Sequence, residues 1–296
     1  MLGAGGQVGR ALLAAIPTGV ETDPLPRCAL DIAERAALEE TLERLQPDVV
    51  INTAGYTAVD RAEVEQDLAF AANARGVAHL TNACARHGIR LVHLSTDHVF
   101  DGKASRPYGT GDACAPINFY GYSKLAGERA VGAHPYALVV RTSRIYSRHG
   151  RNFVRAVIER FREARTVHAV RDQFAAPTSA PCLARYLWRV ALRPEITGVR
   201  HWTDAGEASW YDWACAIRAE AMALGLLTHA AEPIPVNSVD YPTAAQRPCY
   251  SVLDTERSAC EIDLEPLPWR TGLRAVLAQM QYESRSPAAL GLSGRS

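Results

Sequence analysis

Short apolar runs alternate with longer helix-like segments through the first half of the chain, and this alternation restricts the folds open to it. The apolar runs have the length of buried strands, and the other segments are rich in helix-forming residues. The strand-like runs are residues 48–52, 89–94 and 137–141, and the helix-like segments are residues 33–45, 64–87 and 119–130. Repeated units of this kind predict an α/β fold with a doubly wound, parallel sheet of the Rossmann type.

A glycine-rich turn opens the chain. Gly3, Gly6 and Gly9 have the spacing G-x-x-G-x-x-G, and an amphipathic segment starts near Gln7. In such a turn, backbone N–H groups can approach a pyrophosphate at the start of a helix. Glycines also cluster in ordinary loops, so the motif alone leaves both a dinucleotide site and a plain turn open.

The strand that should precede this motif is reduced to Met1 and Leu2. In the expected topology the first strand lies in the middle of the sheet, so we expect this strand to be truncated. Two explanations stay open. The start of the gene is placed too late, which we favour, or the sheet has a gap that weakens the fold and cofactor binding.

The second half of the chain lacks a strand–helix series, and we expect it to form mainly a smaller lobe. Its helix-like segments are residues 152–165, 181–192 and 211–224. Residues 233–248 are rich in proline and predicted to be extended. We therefore place a dinucleotide-binding domain at residues 1–145, a mainly substrate-binding lobe at 146–280 and a disordered tail at 281–296.

Composition excludes several classes of protein. Acidic and basic residues number 32 each, so the chain has no net charge that would attract nucleic acid or an anionic membrane. It has no apolar run of membrane-spanning length and no segment typical of a signal peptide. The seven cysteines form no C-x-x-C pair, and we expect reduced thiols in the cytoplasm. The nine histidines form no ligand-like cluster, so we predict no metal site.

Residues 120–124, Tyr-Gly-Tyr-Ser-Lys, carry the clearest chemistry. Tyr120 and Lys124 are four residues apart, so a helix places the phenol and the ammonium group on one face. A neighbouring positive charge lowers the pKa of a phenol from its ordinary value of about 10. We therefore expect Tyr120 to protonate a carbonyl oxygen while a nicotinamide delivers hydride to the carbon.

Two observations favour this interpretation over chance spacing. Lys124 is one of only two lysines, the other being Lys103, in a chain whose remaining long cationic side chains are all arginine. Thr96 ends a predicted strand, where open α/β sheets bind ligands, and its hydroxyl can hydrogen-bond the same carbonyl. The rival Tyr122 is two residues from Lys124 and would face elsewhere.

Further motifs occur together and in order along the chain. They are Asp31 with Ile32, residues 47–52, 56–60, 95–100, 120–128, 141–143 and 172–178, and Arg247 with Pro248. With the glycine-rich turn they resemble the dTDP-4-dehydrorhamnose reductase family of extended short-chain dehydrogenases/reductases, from Gly3 to about Gln279. The glycine and Y-x-x-x-K motifs indicate only the superfamily, whereas residues 95–100 and 172–178 are far more specific.

The resemblance implies an activity and a set of site residues. The family reduces the 4-keto group of dTDP-4-dehydro-L-rhamnose, giving dTDP-L-rhamnose for cell-wall polysaccharides. Thr96, Tyr120 and Lys124 would be the catalytic residues. The cofactor would contact Gly3, Gly6, Gln7, Val8, Asp31, Ile32, Gly55, Tyr56, Thr57, Tyr120 and Lys124. The substrate would contact Thr96, Asp97 and Arg144.

Two residues depart from the family pattern. Arg144 stands where the family usually has a tryptophan that lies against the sugar. Its guanidinium group could stack on the sugar or pair with the diphosphate, and both interpretations stay open. His98 stands where the family usually has tyrosine. We expect His98 to pack below the site rather than to take part in catalysis.

Two other functions stay open beside the reductase, as do details of cofactor and assembly. A nucleotide-sugar epimerase or dehydratase with tightly bound NAD is opposed by the later motifs. A non-catalytic regulatory subunit, like the relative that accompanies methionine adenosyltransferase, is opposed by the presence of Thr96, Tyr120 and Lys124. Arg27, close to Asp31, favours NADPH as the cofactor but leaves NADH open. The resemblance alone allows a Mg²⁺ ion and a homodimer.

Overall fold

The structure is a computed structural model that describes residues 1–163 and 165–285. Its α-helices are α1 (Gln7–Leu13), α2 (Arg35–Leu45), α3 (Val59–Ala62), α4 (Gln66–Phe70), α5 (Gly76–His87), α6 (Phe119–Val131), α7 (Phe153–Arg162), α8 (Ala180–Ala191), α9 (Trp210–Ala223), α10 (Glu256–Ile262) and α11 (Trp269–Arg285). Its strands are β1 (Val49–Asn52), β2 (Arg90–Thr96), β3 (Ala137–Thr142), β4 (Ile145–Tyr146), β5 (His168–Val170), β6 (Phe174–Ala175), β7 (Thr178–Ser179), β8 (Gly198–His201), β9 (Ala208–Ser209) and β10 (Ile234–Val236).

The central sheet has the strand order β1-β2-β3-β8, and every pair of neighbouring strands is parallel. Successive residues of its strands point to opposite faces, where they join two separate apolar clusters. Val92 and Leu138 pack on the face that α1 and α8 cover, and Leu91 and Val139 on the face of α2 and α5. Helices on both faces of a parallel sheet confirm the predicted doubly wound α/β fold.

Leu2 occupies the place of the first strand. Its N–H donates to Ile51 O at 3.0 Å, and Thr53 N–H donates to Leu2 O at 3.1 Å. On the other side, Leu25 N–H donates to Met1 O at 2.8 Å. Leu2 therefore bridges Asn52 and Leu25 in parallel and is buried in the core. Leu2 thus takes the place of the first strand with a single bridging residue, and the choice between the two explanations stays open.

One helix-like segment is less regular than predicted. Residues 64–87 were expected as a single helix, whereas the helical structure starts at Gln66 and a π-helical turn, Ala71–Arg75, separates α4 from α5. Such turns displace side chains from the regular helical positions and often occur at functional sites. Gly88 ends α5 with a positive φ of 67°, as its sequence position predicts.

The second half contributes to the sheet as well as to the lobe, and the boundary at residue 145 stays a prediction. Strand β8 pairs with β3, and α8 packs against α1 across the sheet face. The lobe has its own apolar cluster, built mainly from α7, α9 and α11. Within the proline-rich segment, β10 pairs with β5, so the expected extended structure is present there.

The tail predicted from residue 281 was wrong for its first residues. Helix α11 continues to Arg285, and Leu273, Val276 and Leu277 anchor it in the core of the lobe. The rest of the predicted tail, residues 286–296, lies outside the described residues. Among the described residues, no helix combines the length and apolarity that crossing a membrane requires.

Gly3 packs closely against the residues that follow β1. It has a φ of +76°, and a Cβ atom there would lie 2.7 Å from Ala54 N. Gly19 has a similar φ of +80° but no atom within 4 Å of such a Cβ. Alanine at either position costs about 1–2 kcal/mol of conformational strain. At Gly3 overpacking adds about 1–3 kcal/mol.

We therefore expect Gly3→Ala to lower the free energy of unfolding clearly more than Gly19→Ala, both measured by urea denaturation of the ligand-free protein. Equal losses from the two variants would show that the contact with Ala54 is not tight.

Candidate active site

A large cleft opens where the strands of the central sheet end. It has a volume of about 1420 Å³ and is lined by residues that end or follow β1, β2 and β3, among them Ala54, Thr96 and Ser143. Residues of the lobe, including Gln173 and Trp210, form the opposite wall. Ligand sites of single small molecules usually have volumes of about 300–1,000 Å³, so this cleft has room for two ligands.

The glycine-rich turn forms one end of the cleft. Gly5, Gly6, Gln7 and Val8 line it, and Gly6, the N-cap of α1, has no side-chain cap. The N–H groups of the first helical turn have no acceptor within the helix. A pyrophosphate is an acceptor of suitable size and charge for this end, so the turn fits the cofactor that its spacing predicts.

Loop 147–152 of the lobe side packs against the same turn. Gln7 Oε1 accepts hydrogen bonds from Ser147 Oγ at 3.0 Å and from Asn152 Nδ2 at 2.9 Å. The same loop brings Arg151 to the lining of the cleft. Gln7 was predicted as a cofactor residue, and in the structure it also ties the turn to the lobe.

Asp31 and Ile32 lie together along the cleft, as predicted. Asp31 Oδ1 accepts a hydrogen bond from Ala33 N at 3.0 Å, and Arg27 Nε donates to Asp31 Oδ2 at 3.0 Å. The Arg27 side chain is 82% exposed and lines the mouth of the cleft. A cation is therefore available there for a cofactor phosphate, although it already pairs with Asp31.

Gly55, Tyr56 and Thr57 also line the cleft, and a buried asparagine that sequence reasoning missed holds them. Asn73 Oδ1 accepts from Tyr56 N at 2.8 Å, and Asn73 Nδ2 donates to Tyr56 O and to Ser123 Oγ, both at 2.9 Å. Asn73 belongs to the π-helical turn and is fully buried. The sequence feature that could have indicated Asn73 is the presence of an asparagine inside a helix-like segment.

Tyr120 and Thr96 meet in the cleft. Asn118 caps α6 by accepting a hydrogen bond from Gly121 N at 2.8 Å, which places Tyr120 in the first turn. The Tyr120 phenol lies beside the Thr96 side chain and edge-on to His98, with ring centroids 5.5 Å apart. Burial raises the pKa of Tyr120 to about 12, and the Thr96 hydroxyl opposes this only in part.

Lys124 lies beneath the cleft rather than in its lining. Its Nζ donates to Leu94 O at 2.7 Å and lies 3.4 Å from His93 Nε2. Burial lowers the pKa of Lys124 to about 8, and the nearby Glu128 opposes the shift. Burial of the phenol outweighs the other influences on it, so the net pKa of Tyr120 is raised rather than lowered. The expected contribution of Lys124 to that pKa stays a prediction.

Asp97 and His98 follow β2 and both line the cleft. Asp97 Oδ2 accepts hydrogen bonds from Ser143 Oγ at 2.9 Å and Ser251 Oγ at 2.6 Å. His98 Nδ1 lies 3.0 Å from Asn118 Nδ2, and burial lowers the pKa of the imidazole. His98 thus lies beside Tyr120, with one nitrogen engaged by the residue that caps α6.

Arg144 has a positive φ of 43° and faces the lobe. Its Nη1 donates to Ala208 O at 2.7 Å, its Nη2 donates to Gln173 O at 2.8 Å, and its Cζ lies over the Trp210 ring, 4.1 Å from the centroid. Burial lowers the pKa of Arg144 to about 9. Trp210 is an aromatic residue of the cleft that sequence reasoning missed, because no local motif marks it.

Arg247 joins the two sides of the cleft. Its guanidinium group forms a bidentate pair with Asp60, with both N···O distances 2.7 Å, and Asp60 also accepts from Ala245 N at 3.1 Å. Asp60 belongs to α3, and Arg247 lies in the chain segment that returns from the lobe. Arg247 and Pro248, the motif identified in the sequence, therefore lie where an ion pair links the two sides of the cleft, and both line it.

No group of three or more His, Cys, Asp or Glu side chains suited to a metal ion occurs in the parts of the chain that the structure covers, 1–163 and 165–285. The Mg²⁺ ion that the resemblance allows therefore finds no ligand set there, and we assign it no role. The sequence-based expectation of no metal stays a prediction.

The fold and the cleft together define an oxidoreductase of the Rossmann class. Over residues 1–282, the sequence matches the family model described as RmlD substrate binding domain. The chain belongs to this family.

Named relatives agree with this assignment. The chain is 38% identical over 255 residues to dTDP-4-dehydrorhamnose reductase of Salmonella typhimurium, covering 84% of this chain and 85% of that one. It is 38% identical over 281 residues to the reductase of the same name from Burkholderia thailandensis, covering 90% and 94%. A crystal structure of dTDP-4-dehydrorhamnose reductase from Bacillus anthracis in complex with NADP superposes with a TM-score of 0.88 at 31% identity, covering 94% and 97%.

A buried ion pair supports the site from behind. Arg141 of β3 and Glu128 of α6 form a bidentate pair with both side chains 5% exposed, and Ser95 Oγ donates to the same carboxylate. Removing one partner of such a pair leaves an uncompensated buried charge, which costs about 3–5 kcal/mol.

We expect Glu128→Ala to lower the free energy of unfolding by about that amount in urea denaturation. Glu39→Ala, which removes a partly exposed partner of the exposed Arg35 and Arg86, serves as the control and should have little effect. If Glu128→Ala also lowered the free energy of unfolding only slightly, the unpaired Arg141 charge would not be costly and the prediction would be wrong.

Proposed function

We propose that the protein reduces the 4-keto group of dTDP-4-dehydro-L-rhamnose to give dTDP-L-rhamnose, with NADPH as the reductant. The observation that carries the proposal is that Tyr120 and Thr96 lie beside each other in a cleft at the carboxyl ends of parallel strands. The proposal also draws on the named relatives, which carry this activity in their names.

Bound NADPH would supply the hydride. Gly3, Gly6, Gln7 and Val8 would hold its pyrophosphate, and Arg27 offers a cation for a phosphate on the ribose. The adenine would lie by Asp31 and Ile32, and the rest of the cofactor along Gly55, Tyr56 and Thr57. This arrangement uses residues that line one continuous side of the cleft.

Tyr120 would donate its proton to the substrate oxygen. A pKa of about 12 keeps the phenol protonated at neutral pH, which is the state that a proton donor needs. The Thr96 hydroxyl would hydrogen-bond the same oxygen and align it. The Lys124 ammonium group, one helical turn further on, would contact the cofactor ribose and stabilise the phenolate that remains.

The substrate sugar would lie against Asp97 and Arg144. Asp97 is held by two serine hydroxyls, which fixes its carboxylate towards the cleft residues. Arg144 is held by two backbone carbonyls and by Trp210. Both side chains are therefore pre-positioned, which reduces the ordering cost of binding.

The direct test is the oxidation of NADPH by the purified protein when dTDP-4-dehydro-L-rhamnose is added. Tyr120→Phe removes only the phenolic oxygen, and we expect kcat to fall by about 10²–10⁴-fold. Tyr122→Phe is the matched control, because Tyr122 is half exposed and stacks on Phe70. Near wild-type turnover of Tyr120→Phe would refute the assigned role, and absence of activity in the wild type would refute the function.

The pH dependence of the reaction follows from Lys124. Its pKa is lowered to about 8, so the ammonium form dominates below that pH and the neutral amine above it. Since the ammonium form stabilises the developing phenolate, we expect kcat/KM to fall as the pH rises through about 8. Tyr120 stays protonated throughout this range and does not cause the decrease. A kcat/KM that stays constant from neutral to alkaline pH would contradict this assignment.

A further inference from the structure

A buried row of polar groups leads to Lys124, and the proposed reduction uses only that last member of the row. The row consists of the backbone N–H of Ala54, the side chain of Asn52, the imidazole of His93 and the Nζ of Lys124. Asn52 and His93 are fully buried, and Lys124 is 5% exposed. Such groups are costly to bury unless each donor meets an acceptor.

The first contact fixes how the Asn52 amide is oriented. Ala54 N donates to Asn52 Oδ1 at 3.0 Å, and a backbone N–H can be satisfied only by the oxygen of the amide. The amide nitrogen therefore points the other way, towards His93 Nδ1, which lies 3.0 Å from Asn52 Nδ2.

That orientation selects one tautomer of His93. An amide nitrogen only donates, so Nδ1 of His93 must be the nitrogen that carries the lone pair. A neutral imidazole has one N–H, which is then on Nε2. His93 Nε2 lies 3.4 Å from Lys124 Nζ, so its N–H is directed at the lysine.

An N–H directed at Nζ affects the two protonation states of Lys124 differently. The ammonium form has donors only, so two N–H dipoles would face each other, whereas the amine form has a lone pair that can accept. The hydrogen bond from Nζ to Leu94 O, at 2.7 Å, can be made in both forms but is stronger from the ammonium group, so it opposes the effect of the imidazole N–H.

We infer that Asn52 and His93 are positioning residues for Lys124: Asn52 fixes the imidazole tautomer, and His93 directs its Nε2–H at Nζ and so favours the amine over the ammonium form. The inference rests on the proposed function for its catalytic meaning alone. The protonation of Lys124 can be measured without substrate or cofactor.

The other charged groups around Lys124 do not supply this effect. Glu128, on the same helix, favours the ammonium form, and Arg141 from β3 partly neutralises it. Tyr120 is the remaining titratable neighbour on α6, and the π-helical turn contributes the uncharged Asn73. Burial and the charge of Lys124 keep the pKa of His93 well below its ordinary value, which agrees with a neutral imidazole.

The chain offers an unusually direct experiment because it contains only two lysines. Protein labelled with ¹³C at the lysine Cε would give two NMR signals, and the signal of the exposed Lys103 serves as an internal control. Asn52→Asp should change the tautomer, because a carboxylate requires an N–H on Nδ1. His93 Nε2 then becomes an acceptor for the ammonium group.

We expect Asn52→Asp to raise the pKa of Lys124 by about one unit or more. Asn52→Ala introduces no charge but frees the tautomer, and it should shift the pKa of Lys124 in the same direction by a smaller amount. If Asn52→Asp fails to fold, Asn52→Ala alone decides the question. An unchanged or lower pKa of Lys124 in the variants that fold would overturn the inference.

A second genetic background separates the direct effect of the new carboxylate on the Lys124 pKa from its effect through the imidazole tautomer. In His93→Leu the imidazole is absent, so Asn52→Asp can act only through its charge. We expect the shift of the Lys124 pKa caused by Asn52→Asp to fall to less than half in that background. A shift of the same size with and without His93 would show that the charge acts alone, and the tautomer argument would be wrong.

Discussion

The site depends on how closely helix α6 packs against the end of β2 on one side and the π-helical turn on the other. A Cβ atom at Gly121 would lie 2.1 Å from His98 O, and one at Gly127 would lie 2.1 Å from Asn73 O. Only glycine allows the helix to pack this tightly between the end of β2 and the π-helical turn. Tyr120 and Lys124 consequently reach the cleft edge and the buried layer beneath it from a single rigid element.

Burial acts on these two residues in opposite directions. It raises the pKa of the Tyr120 phenol and lowers that of the Lys124 ammonium group, so both are driven towards their neutral forms. The charge that develops during proton transfer would therefore be formed in a poorly solvated place, where each remaining dipole has a large effect. This is why the Thr96 hydroxyl beside the phenol and the proposed orientation of His93 matter beyond their individual strengths.

The parts of the fold that follow from local pattern could be predicted from the sequence. Strands β1 to β3 are apolar runs, and α6 carries its cap, Asn118, and its paired Tyr and Lys within one segment. Strand β8 was missed because it is short and contains Arg200, whose charge is balanced by Glu261 from a distant part of the chain. Nothing local identifies a strand whose polar residue is neutralised only in the folded protein.

The same limit explains the residues of the site that sequence reasoning missed or left undecided. Trp210, whose ring contacts Arg144, lies 66 positions further along the chain. The sequence therefore marks Arg144 as a departure from the family pattern but does not identify the residue that packs against it. With one N–H of each terminal nitrogen held by a backbone carbonyl and an indole on one side, this guanidinium group is fixed as a flat surface. A lysine could not replace it, because an ammonium group has neither the plane nor the paired donors. The identity of Arg144 is thus set by the lobe as much as by any ligand.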